Sequence, residues 1–152
     1  MILSFLFAFA ATFGFSLLFH VPKKHLVTAA LIGAVGWIIY SGCTDYGYGK
    51  PFACFMAACL VGVLGDICSR TFKEASTIFV IPGILPLVPG AGIYYTMVAI
   101  IEGDLERMAE TGTETLLMAG AIAVGLMTMG SLLHIIVAVE RKITAPLRRR
   151  KE

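Results

Sequence analysis

The chain has 152 residues, of which 58% are hydrophobic and only 14% are charged, and its formal net charge at pH 7 is +2. A water-soluble domain carries about 25% charged residues and needs polar groups to cover its surface, so this composition excludes a soluble globular protein. The charges are clustered between long apolar runs, which leaves room for about five membrane-spanning helices of roughly 20 residues each. We therefore expect one all-α integral membrane domain over residues 1–152.

Five transmembrane helices are predicted in chain order. The first is an uncharged run with no basic residue ahead of it, which favours a membrane helix; a cleaved signal peptide, which begins with a basic segment, is the alternative. Pro22 ends this helix, because proline lacks an amide donor. Turn residues and two tyrosines after the second helix are typical of a membrane–water interface. The predicted spans are 2–19, 26–41, 52–69, 76–101 and 113–138.

Lysine and arginine are distributed unequally between the two sides of these predicted spans. Lys50 and Arg107 are the two on one side, whereas ten lie on the other. Cytoplasmic loops carry the excess of basic residues, so we predict that the N-terminus is outside and the C-terminus is cytoplasmic. No nucleic-acid partner is expected, since no folded module or interleaved aromatics accompany the basic tail. The ten residues are Lys23, Lys24, Arg70, Lys73, Arg141, Lys142, Arg148, Arg149, Arg150 and Lys151.

The cysteines and histidines are scattered along the chain, and none of them has the close spacing of a zinc site. We therefore expect no metal and no cofactor, and we leave open a disulfide between Cys43 and Cys54. His20 and His25 flank the basic turn and are predicted to sit at the lipid headgroups. The polar residues form no catalytic constellation, so the pattern favours a protein that is not an enzyme.

Two carboxylates in the predicted spans are candidates for ion coupling. Asp66 precedes Arg70 by four residues, so the two share a helix face and can form an ion pair. Ala58 and Gly62 continue that face with small residues, as where membrane helices pack closely. Asp66 is then either a structural ion-pair partner or a proton or cation coupling site. Glu114 opens the fifth span, where it complements the helix dipole; a place in a substrate path is the alternative.

The fourth span carries three prolines and three glycines between residues 81 and 97. A continuous helix is incompatible with prolines at such close spacing, and broken helices in the membrane line the substrate sites of transporters. We predict that residues 82–90 are not continuous helix and lie beside a path for a small carboxylate; a kinked packing helix is the alternative. The candidate path residues are Pro82, Gly83, Pro86, Pro89, Gly90, Gly92, Tyr94, Tyr95 and Thr96.

With this proline–glycine motif, the chain resembles the small-subunit, or C-terminal, membrane domain of the threonine/serine exporter (ThrE-like) family. The similarity extends over nearly the whole chain, and the loop at 42–49 departs from it. The proline–glycine motif is the most specific part. The matching stretches are 19–26, 30–37, 80–97, 102–104 and 114–121.

The resemblance implies a subunit of a secondary transporter in the cytoplasmic (inner) membrane. Its substrates would be small hydrophilic amino acids of the threonine/serine type, or related organic acids. It also implies a larger membrane subunit as the partner, and an oligomeric complex is compatible with this interpretation. If the partner also has five spans and precedes this half in fused forms, the two halves run in opposite directions. A non-conducting scaffold subunit of such a complex is the alternative function.

Overall fold

The computed structural model of the chain describes residues 2–148, with side chains as far as Leu132. Arg149, Arg150 and Lys151, which contribute to the predicted orientation, lie outside the described residues. All regular structure in the described part is helical, as the composition predicts. The α-helices are α1 (Ile2–Leu18), α2 (Leu26–Asp45), α3 (Lys50–Phe72), α4 (Thr77–Ile84), α5 (Gly90–Glu102) and α6 (Leu105–Arg148), with short 3₁₀ turns at Lys23–His25 and Leu85–Leu87.

Three stretches of helix are long and apolar enough to cross a bilayer: Lys23–Asp45, Lys50–Phe72 and Leu105–Leu132. The pair Thr77–Leu87 and Gly90–Glu102, bent by 48°, makes a fourth candidate if it acts as one span. Helix α1 is apolar but has only 17 residues, somewhat fewer than the roughly 20 that a bilayer core requires. The described residues therefore contain three or four candidate spans, in agreement with a multi-pass membrane protein.

The helices extend further into the predicted loops than the sequence indicated. Helix α2 continues to Asp45, and α3 begins at Lys50, so the connection is residues 46–49 rather than 42–51. The Thr44 hydroxyl donates hydrogen bonds to backbone carbonyls of the preceding turn, which satisfies it within the helix. Pro51 lies in the first turn of α3, where a missing amide costs no helical hydrogen bond.

The start of α6 differs from the predicted boundary by eight residues, at Leu105 rather than 113, and its end lies at Arg148 rather than 138. The acidic loop predicted over 102–112 is in fact a two-residue connection. Gly103 ends α5 with φ +74°, a left-handed conformation that glycine adopts without a steric penalty. The Asp104 carboxylate then caps α6 by accepting a hydrogen bond from the Arg107 amide at 3.0 Å. Glu114 therefore lies more than two turns inside α6, and its predicted role as a helix-start acid is wrong.

Small residues hold the centre of the bundle together. Helix α2 packs on α1, α3 and α4, while α3 packs on α6, and α5 lies mainly against α6. Ala29 and Ala30 of α2 and Ala57 and Ala58 of α3 are fully buried. Side chains of this size let membrane helices approach closely, so that dispersion contacts accumulate where no hydrophobic effect drives association.

The predicted break in the fourth span is present, but it lies after Pro82. Helix α4 passes through Pro82 to Ile84, and the regular structure is interrupted at Val88 and Pro89. Pro82 is fully buried, and a Cβ atom on Gly83 would lie 3.1 Å from Ile32 of α2 and 3.2 Å from Val61 of α3. Tight packing against two helices therefore keeps α4 helical although proline removes one of its hydrogen bonds.

Candidate functional site

A cavity of about 550 Å³ lies between the α4–α5 break, α2, the first residue of α3 and α6. Its volume is within the range of about 300–1,000 Å³ that small-molecule sites occupy. Trp37, Leu87 and Met118 contribute apolar walls. Six of the residues predicted for a substrate path or for ion coupling line it, namely Pro86, Pro89, Gly90, Gly92, Tyr95 and Glu114.

The other four predicted path residues lie elsewhere. Pro82 and Gly83 are packing residues at the crossing of α4 with α2 and α3. Tyr94 is 64% exposed on α5, and its ring centroid is 5.5 Å from that of Tyr95. The Thr96 hydroxyl donates to the Gly92 carbonyl at 2.7 Å and lies 3.2 Å from the Thr111 hydroxyl, so it helps to join α5 to α6.

Helix α5 begins at the cavity. Pro89 precedes its first residue, Gly90, and the first regular hydrogen bond runs from the Ile93 amide to the Pro89 carbonyl at 3.2 Å. The Gly90 amide donates to the Val88 carbonyl at 2.8 Å, whereas the next two amides precede the helical ladder and belong to the positive end of the helix dipole. Apart from Gly90 itself and its near neighbours in the chain, no described atom lies within 4 Å of the position that a Cβ atom on Gly90 would take. A small anion can therefore approach this backbone closely.

An ion pair crosses the same cavity. Lys50 Nζ of α3 donates to Glu114 Oε2 of α6 at 2.9 Å, and the two side chains are 53% and 45% exposed. Tyr40 and Trp37 of α2 lie beside it, with ring centroids 5.3 Å apart. Sequence reasoning missed Lys50, Tyr40 and Trp37 as site residues. Lys50 did stand out as one of two basic residues on its predicted side, but that signal was used only for topology.

Asp66 faces a second, separate cavity of about 250 Å³ between α3, α4 and α6. Its predicted ion pair with Arg70 is present. Gly62, one turn earlier, faces α6, where a Cβ atom would lie 3.4 Å from Met129. The small-residue face therefore points into the bundle as predicted, and its polar end opens into this cavity.

A third polar cluster joins the basic turn to the α3–α4 connection. Lys24 Nζ lies 2.7 Å from Glu74 Oε1, and His25 Nε2 lies 3.6 Å from the same oxygen. The hydrogen bond from Lys24 and its positive charge hold the pKa of Glu74 below its ordinary value. His25 is buried, with its ring against Phe72 and Phe79 at 4.7 and 5.3 Å. The prediction that His25 sits among lipid headgroups is therefore wrong.

The four cysteines are free thiols. Cys54 and Cys59 are buried in α3, and Cys43 and Cys68 are partly exposed. The disulfide left open between Cys43 and Cys54 is not formed. Cys59 instead donates a weak hydrogen bond to the Gly125 carbonyl of α6 at 3.7 Å, consistent with small, soft packing residues.

Comparison with known proteins identifies a family and a relative to which this chain is similar. The model of the protein family described as Threonine/Serine exporter, ThrE, matches residues 4–132. A curated relative from Haemophilus influenzae, described as an uncharacterized protein, is 29% identical over 137 residues. That alignment covers 85% of this chain and 46% of the relative, so the chain spans about half the length of the curated relative it matches. No solved structure matches the chain.

Proposed function

Because this chain belongs to the threonine/serine exporter family, ThrE, we propose that it is a subunit of a secondary transporter in the cytoplasmic membrane. Its substrates are small hydrophilic amino acids of the threonine/serine type, or organic acids related to them. The observation that carries the proposal is the cavity of about 550 Å³ at the broken helix. Interrupted membrane helices that expose backbone groups to a cavity are the usual substrate sites of secondary transporters.

The cavity suits a small carboxylate for two reasons. The first-turn amides of α5 are at its wall, beside the open space at Gly90, and helix starts attract anions. Tyr40 and Tyr95 also line the cavity, and a few polar groups in a largely apolar pocket give orientation and specificity.

The proposed topology has five spans, with α1 as the first. Helix α1 packs along α2, and a span of 17 residues is accommodated by local thinning of the bilayer. The ion pair between Lys24 and Glu74 joins two basic connections at one end of the bundle, and the excess of lysine and arginine makes that end cytoplasmic. The cavity that Lys50 lines then lies in the outer half of the membrane.

A larger membrane subunit completes the proposed transporter. The curated relative extends well beyond the part that matches this chain, which leaves room for a second membrane half. If that half also has five spans and precedes this one, it ends outside and runs opposite to this chain. The two then form an inverted-topology pair, a common plan among transporters.

Efflux from cells tests the proposal directly. A strain without this chain and its partner half is loaded with labelled serine or threonine, and efflux is followed after each half is restored alone and after both are restored. We expect fast efflux only when both are present. Full efflux from the partner half alone would reduce this chain to a non-conducting scaffold, and unchanged efflux with both halves present would contradict the proposed function.

A further inference from the structure

Two charged side chains face each other across the cavity at the α4–α5 break. Lys50 and Glu114 come from positions 64 residues apart and meet at 2.9 Å. The remaining described lining is uncharged. Both side chains are about half exposed, so a solute that enters the cavity can reach each of them and can replace one partner of the pair.

We propose that Lys50 and Glu114 are the specificity-determining pair for the headgroup of an α-amino acid. Glu114 binds the α-ammonium group, Lys50 binds the α-carboxylate, and the bound zwitterion inserts between the two. This inference rests on the proposed function, and it selects amino acids over the organic acids that the proposed function leaves equally open.

The selection follows from the balance of charge in the cavity. When a zwitterion replaces the direct ion pair, each protein charge exchanges one opposite charge for another, and none is left unpaired. A simple carboxylate would occupy Lys50 but leave Glu114 without a cation in a pocket walled partly by Trp37, Leu87 and Met118. A simple amine would leave Lys50 unpaired. A charge that loses its partner beside apolar walls loses favourable interaction free energy, and because both side chains are about half exposed the loss is modest, so each one-charge ligand binds more weakly than a zwitterion.

The start of α5 reinforces the assignment of the carboxylate. Gly90 and Gly92 line the same cavity as Lys50, and Gly90 leaves open space beside the first-turn amides. A carboxylate bound to Lys50 can therefore also accept backbone hydrogen bonds from a helix start. The ammonium group then lies towards Glu114 on α6.

Three ligands related to serine separate the two contacts. Serine carries both charged groups, 3-hydroxypropionate lacks the ammonium group, and ethanolamine lacks the carboxylate. Proteoliposomes containing the full-length chain with its partner half are loaded with labelled serine and one unlabelled competitor, and efflux of the label is measured. In the wild-type protein we expect each one-charge analogue to compete about tenfold less than serine or weaker.

The neutral variants should change selectivity in opposite directions. In Glu114→Gln, the advantage of serine over 3-hydroxypropionate should fall about tenfold, while its advantage over ethanolamine persists. In Lys50→Gln, the advantage of serine over ethanolamine should fall, while its advantage over 3-hydroxypropionate persists. Lys50→Arg and Glu114→Asp keep the charges and should keep both preferences. If the ion pair were purely structural, the preference for serine over 3-hydroxypropionate and the preference for serine over ethanolamine would not change separately in the two neutral variants.

Glu74→Gln is the matched control, because it breaks an exposed ion pair of similar length, 2.7 Å to Lys24, outside this cavity. It should leave both ratios, that of serine to 3-hydroxypropionate and that of serine to ethanolamine, unchanged. Where a neutral variant shows no flux, the same ratios are read from the ligand-induced shift of its thermal unfolding midpoint. Serine transport with unchanged ratios in both neutral variants would overturn the assignment and leave the proposed function standing. A wild-type protein that transports no amino acid would overturn both.

Discussion

Gly90 and Gly92 are separated by one residue, yet their surroundings differ. A Cβ atom on Gly92 would overlap the Thr115 side chain of α6, so Gly92 is required for the close packing of α5 on α6. Gly90 has open space beside it within the cavity. Only Gly90 therefore tests access to the site, although the sequence motif suggested the same role for both.

Gly90→Val should lower amino-acid efflux about tenfold or more, because the added methyl groups fill the space beside the first-turn amides and remove at least about 1.4 kcal/mol of binding. Gly120→Val on α6 is the matched control, since Gly120 also has open space beside it but does not line the described cavity. The measurement is efflux at equal amounts of protein in the membrane. Equal efflux from the two variants would place the substrate path elsewhere.

Asp66 is the candidate coupling group of the second cavity. The side chains of Arg70 and Asp66 are 41% and 21% exposed, and ion pairs in contact with water contribute about 1 kcal/mol or less, so Asp66→Asn should change thermal stability only slightly. We expect it to slow efflux and to remove the dependence of efflux on pH. Arg70→Gln breaks the same pair but keeps the carboxylate, and it should retain that dependence. Equal losses of stability and transport in the two variants would instead give the pair a structural role.

At the scale of the elements, the α4–α5 segment shows that a proline breaks a membrane helix only where packing permits it. Pro82 stays within α4, because Gly83 lets that helix press against α2 and α3. Pro89 precedes α5 and comes after Val88, whose backbone is extended. The break thus coincides with the cavity, which Pro86, Pro89 and Gly90 line.

Gly83→Val should destabilise the fold by about 1–3 kcal/mol, because the larger side chain overlaps Ile32 and Val61 in a tightly packed crossing. Buried Cys54 and Cys59 report unfolding through their reaction with a thiol-specific fluorophore during heating. Gly14→Val on α1 is the control, since Gly14 has open space beside it, and its unfolding midpoint should stay close to that of the wild type. Equal midpoints for the two variants would contradict the packing argument.

At the scale of the whole molecule, the polar clusters lie at separate places in one bundle. Lys24 and Glu74 join the two basic connections, while Lys50 and Glu114 join α3 to α6 at the large cavity. In the proposed topology, the first cluster is cytoplasmic and the cavity belongs to the outer half. Substrate would then leave the protein on the side where lysine and arginine are few.

Single cysteines in a cysteine-free background test this topology. Tyr48→Cys places a thiol in the connection between α2 and α3, and Ala75→Cys places one in the connection between α3 and α4. Both positions are exposed, and neither substitution alters the basic residues that set the orientation. A membrane-impermeant maleimide should label position 48 in intact spheroplasts and position 75 only after permeabilisation. The reverse pattern would invert the assignment, and labelling of both positions in intact cells would exclude the span predicted between them.

Local patterns in the sequence were sufficient for the membrane class, the helical architecture and the broken segment. Composition alone excludes a soluble protein, and proline chemistry predicts a break because it acts on the backbone of the same turn. The ion pair of Asp66 with Arg70 is predictable for the same reason, since four residues of helix place the two side chains together. The start of α6 was harder to predict from the sequence, because the cap at Asp104 depends on one side-chain hydrogen bond.

Only the tertiary structure brings Lys50 to Glu114, because the two are 64 residues apart and meet through the packing of α3 on α6. The same packing keeps Pro82 helical and gives Gly92 a structural role. Side-chain spacing determines contacts within one turn of helix, whereas contacts between helices depend on how small residues let their backbones approach. The sequence therefore determined where the chain breaks, and the crossing of α2, α3, α4 and α6 decided which residues face the cavity.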